Sequence, residues 1–244
     1  MTILRADDFL FNISRGKVPG HSLVDKFGHV SGLGTTLATI WPQNILYTYS
    51  ATANITGISS SSAADTQTVR VIGLDASWNV VSQDIVLTGQ TTFVLPTALI
   101  RISTMYNISA TDFVGDIYLY ITGATVVLGV PTVAVEIRAQ ITIGDNRTLQ
   151  PIYTIPNGFT AYLAHRDLSV TKGQDVDLRL KIREFGQVFQ TRHVLDINNH
   201  LYEHQSLLTY PLSAKTDIEI QGITSAGTVE ASASFILILI ADGF

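Results

Sequence analysis

Strict alternation of apolar and polar residues, broken at short intervals by turn formers, confines most of this chain to sheet structure. Leu178, Leu180 and Ile182 fall on one side of an extended segment, and Arg179, Lys181 and Arg183 on the other. Ile218 and Ile220 alternate with Glu219 and Gln221, and Ile117, Leu119 and Ile121 with Tyr118 and Tyr120. Successive side chains of a strand point to opposite faces, so a period of two encodes a strand with one buried face. No window carries a convincing helical period. Turn signals recur at Gly73–Asp75, Gly89-Gln90, Gly115-Asp116, Gly144-Asp145, Pro156-Asn157-Gly158, Gly173-Gln174 and Gly227. Short strands punctuated in this way mark a sandwich or jelly roll.

The alternation is organised twice. Residues 66–87, TQTVRVIGLDASWNVVSQDIVL, form a strand–turn–strand pattern followed by LIRISTMYNI and DIYLYITGATVVL. Residues 175–197, DVDLRLKIREFGQVFQTRHVLDI, repeat it, followed by TDIEIQGIT and TVEASASFILILI. Val69-Arg70-Val71 overlays Leu178-Arg179-Leu180, and the turn Asp75–Asn79 overlays Glu184–Gly186. The likeness is one of pattern, not identity. A chain of 244 residues holds one large β-domain or two of about 110–120 residues. The expectation is an all-β chain of two tandem jelly-roll-like β-sandwich domains, 36–130 and 131–244, behind an extended N-terminal arm, 1–35. The arm is expected because residues 14–36 carry five glycines and no regular alternation. The boundary is placed near Gly129–Pro131, where proline ends a long strand Asp116–Leu128. Phe235–Ile240, apolar on both faces, is expected in the centre of its sheet or beneath another subunit.

Composition narrows the function. Only 14% of residues are charged and 46% are apolar, against roughly 25% charged in an average soluble protein. Such a surface suits a protein that buries much of itself against its own copies or a partner. The net charge is −5 and no Lys/Arg run occurs, which argues against a nucleic-acid partner. The absence of cysteine excludes disulfides, thiolate metal sites and thiol catalysis. The N-terminal stretch is interrupted by Arg5, Asp7 and Asp8 and does not read as a signal peptide. The apolar stretches Val126–Val135 and Phe235–Ala241 fall short of the roughly 20 residues that span a bilayer, so a soluble protein without a membrane partner is expected. Asn-x-Ser/Thr triplets at Asn12, Asn54, Asn107 and Asn146 are read as chance in a Ser/Thr-rich chain.

No catalytic residue, metal ligand or cofactor site is assigned. His193, His200 and His204 lie close together with Asp196 and Glu203, but lack the His-Glu-x-x-His order and read as polar loop and strand residues. Gly32-Leu33-Gly34 follows no predicted strand and opens no helix, so it is no dinucleotide fingerprint. Asp175 and Asp177 share a strand face, as glycosidase carboxylates can, but fit a charged outer face better. Asp65, Asp112 and Asp116 lack EF-hand spacing. The aromatics, among them Trp41, Tyr47, Tyr49, Trp78, Tyr162, Tyr202 and Tyr210, are scattered; some suit a sugar platform or an interface anchor, and core packing explains most as well.

Four stretches carry a further likeness. Gly20-His21-Ser22 and Lys26-Phe27-Gly28 precede Trp41 and a Tyr-rich strand at Tyr47–Tyr49; Tyr153–Tyr162 reads YTIPNGFTAY; FGQVFQT (185–191) and KTDIE (215–219) follow. This set resembles a group of virion structural proteins of tailed bacteriophages, many of them marine and podovirus-type. The resemblance implies a non-enzymatic component of the virion, most specifically a capsid decoration or cement protein made in the host bacterial cytoplasm. Its expected partners are the major capsid protein and itself, as a homotrimer, with a host-surface glycan as a further candidate. Lys17, His21, Asp25, Lys26 and His29 are expected at the capsid or neighbour contact. Trp41, Tyr202 and Phe235 are expected at a subunit interface. A tail or fibre-base adaptor and a carbohydrate-binding module are the competing readings.

Overall fold

A computed structural model describes residues 6–171, 175–198, 201–205 and 210–244. After a helix, α1 (Ala6–Ser14), the chain continues as β1 (His21–Leu33), β2 (Ala38–Thr39), β3 (Ile55–Ser60), β4 (Thr68–Leu74), β5 (Val80–Val86) and β6 (Phe93–Leu99). Next come β7 (Arg101–Asn107), β8 (Ile117–Ile121), β9 (Val126–Val127), β10 (Val130–Pro131), β11 (Ile137–Ile141) and β12 (Ile152–Thr154). The last third holds β13 (Phe159–Val170), β14 (Asp175–Arg183), β15 (Gln190–Asn198), β16 (Leu201–Gln205), β17 (Asp217–Thr224) and β18 (Val229–Ala241).

The chain is all-β apart from α1 and one short 3-10 turn at Ala134–Glu136, and its sheets form two sandwiches. In the first, β11-β8-β3-β6 faces β5-β4-β7 across a core that includes Trp41, Ile58, Val69, Val71, Leu119 and Met105. In the second, β1-β18-β13-β16 faces β12-β17-β14-β15, with β2 beside β17, across a core that includes Val30, Leu178, Leu180, Ile220, Phe235 and Leu237. The repeated pattern has a common structural meaning. The β4–β5 hairpin is flanked by β7, and the β14–β15 hairpin by β17. The strand that follows, β8 or β18, occupies the middle of the opposing sheet. Phe235–Ile240 is thus central in its sheet, between β1 and β13.

The order of the two units differs from the tandem arrangement expected. Residues 21–33 are not an arm: β1 pairs with β18 along nearly its whole length. The first sandwich is therefore inserted between β2 and β12 of the second. Alternation in β1 was masked because its inward positions carry Lys26, Gly28 and Val30 while the outward ones include Leu23 and Phe27. Gly28 is required there: a Cβ would lie 2.0 Å from Pro151 Cδ and 2.4 Å from the Ile40 carbonyl oxygen. Nor does the first unit end at Gly129–Pro131. That segment is the β9–β10 hairpin, turned by Leu128 (φ 49°) and Gly129 (φ 79°) in the left-handed region. The chain then returns as β11 to pair with β8, and Ile137, Ile141 and Ile152 all belong to the first core.

Candidate functional site

Two regions concentrate the polar and aromatic residues singled out by the sequence. One is the outward face of the β1-β18-β13 sheet. Antiparallel partners share a face, so the register stacks rows across three strands. His21, Ile240 and Thr160 form one row; Leu23, Ile238 and Tyr162 the next; then Asp25, Ile236 and His165; then Phe27, Ser234 and Asp167; then His29, Ser232 and Ser169. One end is apolar, with Leu23, Tyr162, Ile236, Ile238 and Ile240 each half-buried. The other end is polar. His29 Nδ1 lies 3.0 Å from Ser232 Oγ, Ser234 Oγ donates to Asp167 at 3.0 Å, and His165 Nε2 lies 2.6 Å from Asp167 Oδ1. Exposed Phe27 stands between two shallow clefts of about 460 and 430 Å³.

Of the residues expected at a contact, His21, Asp25 and His29 lie on this face, and Lys17 is exposed between α1 and β1. Lys26 points the other way. It is buried at 5% exposure and donates to the Ser103 carbonyl of the first sandwich. Burial pushes its ammonium down to about 7, helped by Arg147 and opposed by Asp25. Trp41 and Phe235 are core residues, 1% and 0% exposed, and are not available to a subunit interface. The Trp41 indole donates to the Ile45 carbonyl at 2.8 Å. Tyr202 packs against the second core.

The second region is the junction between the sandwiches, which sequence reasoning did not anticipate as a site. Asp217, at the start of β17, accepts two guanidiniums: Arg101 Nε at 2.9 Å and Arg183 Nη2 at 2.5 Å. Arg101 opens β7 of the first sandwich and Arg183 closes β14 of the second, so one buried carboxylate ties the two units. Thr154 Oγ1 also donates to Asp217. Rings surround the cations. Arg101 lies 5.0 Å from the Tyr49 centroid and 4.9 Å from that of Trp78; Arg183 lies 4.5 Å from both Tyr49 and Phe189. Tyr47 and Tyr49, expected in a strand, lie outside the sheets and continue an edge-to-face series from Trp41.

Behind this cluster sits Glu219, 1% exposed. Its carboxyl takes hydrogen bonds from Tyr49 Oη at 3.1 Å, Thr39 Oγ1 at 3.5 Å and the Gln221 amide. Burial pushes it up to about 7, against the pull of the Gln221 and Tyr49 hydrogen bonds. Burial also raises the Tyr49 phenol, which stays a neutral donor. In front of the cluster opens a cleft of about 370 Å³ walled by Tyr49, Trp78, Arg101, Arg183, Phe185 and Lys215.

The carboxylates that the sequence offers as candidate sites have structural partners. Asp65 is fully buried and takes the Val114 and Gly115 amides and the Ser60 hydroxyl. Asp116 takes the Ile143 amide at 2.8 Å, and Asp112 the Asn146 side chain at 2.8 Å. Asp177 pairs with Arg179 at 3.1 Å. His200 and the side chain of His204 lie outside the described residues. Among the described residues no group of three or more His, Asp or Glu is placed to hold a metal, and no helix is long and apolar enough to cross a membrane.

No protein-family model matches the chain, and no curated protein sequence does. Solved structures of infectious bursal disease virus align weakly. The Gt strain aligns over 93% of this chain and 75% of its own at 13% identity and a TM-score of 0.23. The Gx strain aligns over 91% and 72% at 11% identity and a TM-score of 0.26. The VP2 subviral particle of the same virus aligns over 93% and 73% at 13% identity and a TM-score of 0.25. These scores lie below those of chains that share a fold.

Proposed function

We propose that this chain is a non-enzymatic structural component of a tailed-bacteriophage virion, a decoration or cement protein that binds the outside of the major capsid shell as a homotrimer. The resemblance of its Gly20–Gly28 and Tyr153–Tyr162 segments to such proteins supports the reading. The single observation that carries it is the outward β1-β18-β13 face. Five half-buried apolar side chains sit there beside exposed Phe27 and a polar margin of His29, Asp25 and Asp167. An apolar patch with a polar rim is the anatomy of a protein contact. The low charge of the chain and the buried Arg101–Asp217–Arg183 tie favour a rigid body that acts by docking. Bound copies stabilise the shell state they fit, and symmetry multiplies weak contacts.

The test adds purified protein to particles that lack it and counts the bound copies. On the order of hundreds per particle, placed by electron microscopy on the shell, is the expected result; a few dozen at one vertex or on the tail makes it an adaptor instead. Phe27→Glu should abolish binding and leave the melting temperature unchanged. Binding by that variant at parental strength removes the β1 face from the contact.

A further inference from the structure

We propose that the cleft between the two sandwiches binds an acidic sugar unit, a uronic acid of a surface polysaccharide, with Lys215 as the residue that takes its carboxylate. Four observations converge. The first is charge. Arg101, Arg183 and Lys215 all face the cleft, and Asp217 is shared between the two arginines. That leaves Lys215 without an oxyanion: among the described residues its ammonium has only ring contacts, 5.0 Å from the Phe185 centroid and 5.8 Å from that of Trp78. An ammonium with three donors facing a cleft is suited to a carboxylate.

The second is backbone conformation. Trp78 and Lys215 both occupy the left-handed region, with φ of 66° and 67°. Neither residue type favours it, and glycine or asparagine would meet the same turns with less strain. The Trp78 turn is held by Asp75, whose carboxylate accepts the Ser77 and Asn79 amides at 2.8 and 3.0 Å. Lys215 is held by its amide on the Ile155 carbonyl at 2.8 Å. Two strained residues from different sandwiches, both turned into one cleft, mark a place where side-chain identity matters more than local fit.

The third is surface character. Phe185 is 60% exposed at the rim and Trp78 is half-buried beside it, which offers apolar ring surface for the C–H face of a sugar. The rim residue Gln187 is exposed, and its side-chain amide carries both donors and an acceptor suited to hydroxyls. The fourth is size. About 370 Å³ falls in the range of small-molecule sites and admits one or two sugar rings. A bare inorganic anion would leave the ring surface unused, and a neutral sugar would leave Lys215 unpaired. The cleft binds such a unit wherever on a particle the protein sits.

The experiment uses the full chain with its tryptophan side chains labelled with ¹⁵N. The two indole N–H signals separate the cleft from an internal reference, because Trp41 is buried and hydrogen-bonded to Ile45. Titration with trigalacturonate should shift the Trp78 signal saturably and leave Trp41 in place. The neutral galactose trimer and sodium sulfate should each bind about tenfold more weakly or not at all. Lys215→Gly and Lys215→Asn, which suit the positive φ, should weaken trigalacturonate binding about tenfold while holding or raising the melting temperature. Equal binding of the neutral trimer, sulfate binding as strong as the trisaccharide, unchanged affinity in both Lys215 variants, or no shift of Trp78 at millimolar trigalacturonate would each overturn the proposal.

Discussion

The Phe185 ring meets the Trp78 indole edge to face, with centroids 5.5 Å apart and planes at 83°. Each ring lies at the tip of a hairpin, β14–β15 for Phe185 and β4–β5 for Trp78. These are the two hairpins whose strand–turn–strand pattern recurs. Equivalent turns of the two sandwiches thus meet each other, and the Asn157 amide closes the contact by donating to the Trp78 carbonyl at 2.9 Å. A double-mutant cycle with Trp78→Asn and Phe185→Ala, followed by urea unfolding, should give a coupling of about 1 kcal/mol. Additive effects would mean that the rings touch without holding the units together.

Asp217 is the tie that matters most to the junction. Its side chain is 4% exposed and that of Arg101 is 8% exposed. Asp217→Asn leaves two guanidiniums facing each other without their counter-charge. Removal of one partner from a buried ion pair costs about 3–5 kcal/mol, and a loss in this range is expected from chemical denaturation. A loss below about 1 kcal/mol would show that water screens the junction.

Glu219 makes the junction sensitive to pH. Its folded value, about 7, lies above the ordinary 4.5. The neutral acid is therefore the form that fits the fold. Its contribution is complete below pH 4.5 and is lost as pH rises through about 7. Glu219→Gln should remove this slope and make the protein more stable than its parent at pH 8, by a margin on the order of 3 kcal/mol. Parallel stability curves for parent and variant between pH 5 and 8 would refute the assignment.

Lys26 acts in the opposite sense. Its folded value, about 7, lies below the ordinary 10.5. Its contribution is complete above pH 10.5 and is lost as pH falls through about 7. Lys26→Met should therefore be close to neutral at pH 10, where the loss of the hydrogen bond to the Ser103 carbonyl is offset by apolar burial. At pH 6 it should be stabilising, by a margin on the order of 4 kcal/mol. Together the two groups place a minimum of stability near neutrality, which melting temperatures across pH 5–10 will locate.

The alternation in Leu178–Arg183 and Ile117–Ile121 determined strands, and the twofold recurrence of hairpin and following strands determined two sandwiches of similar build. Those properties are local: side-chain period and turn chemistry act over a few residues. Tertiary structure decided what distant segments do. β1 is a strand because β18 offers it a full row of hydrogen-bonding groups, although its inward positions hold Lys26 and Gly28 in place of large apolar side chains. Gly129–Pro131 reads as a domain boundary in the sequence because a hairpin turn uses the same residues. Trp41 and Phe235 became core rather than interface because burial depends on which sheet covers them, and period alone does not say. The candidate cleft was illegible for the same reason. Arg101, Arg183 and Asp217 are scattered along the chain, and only the docking of one sandwich into the other gathers them around Trp78 and Lys215.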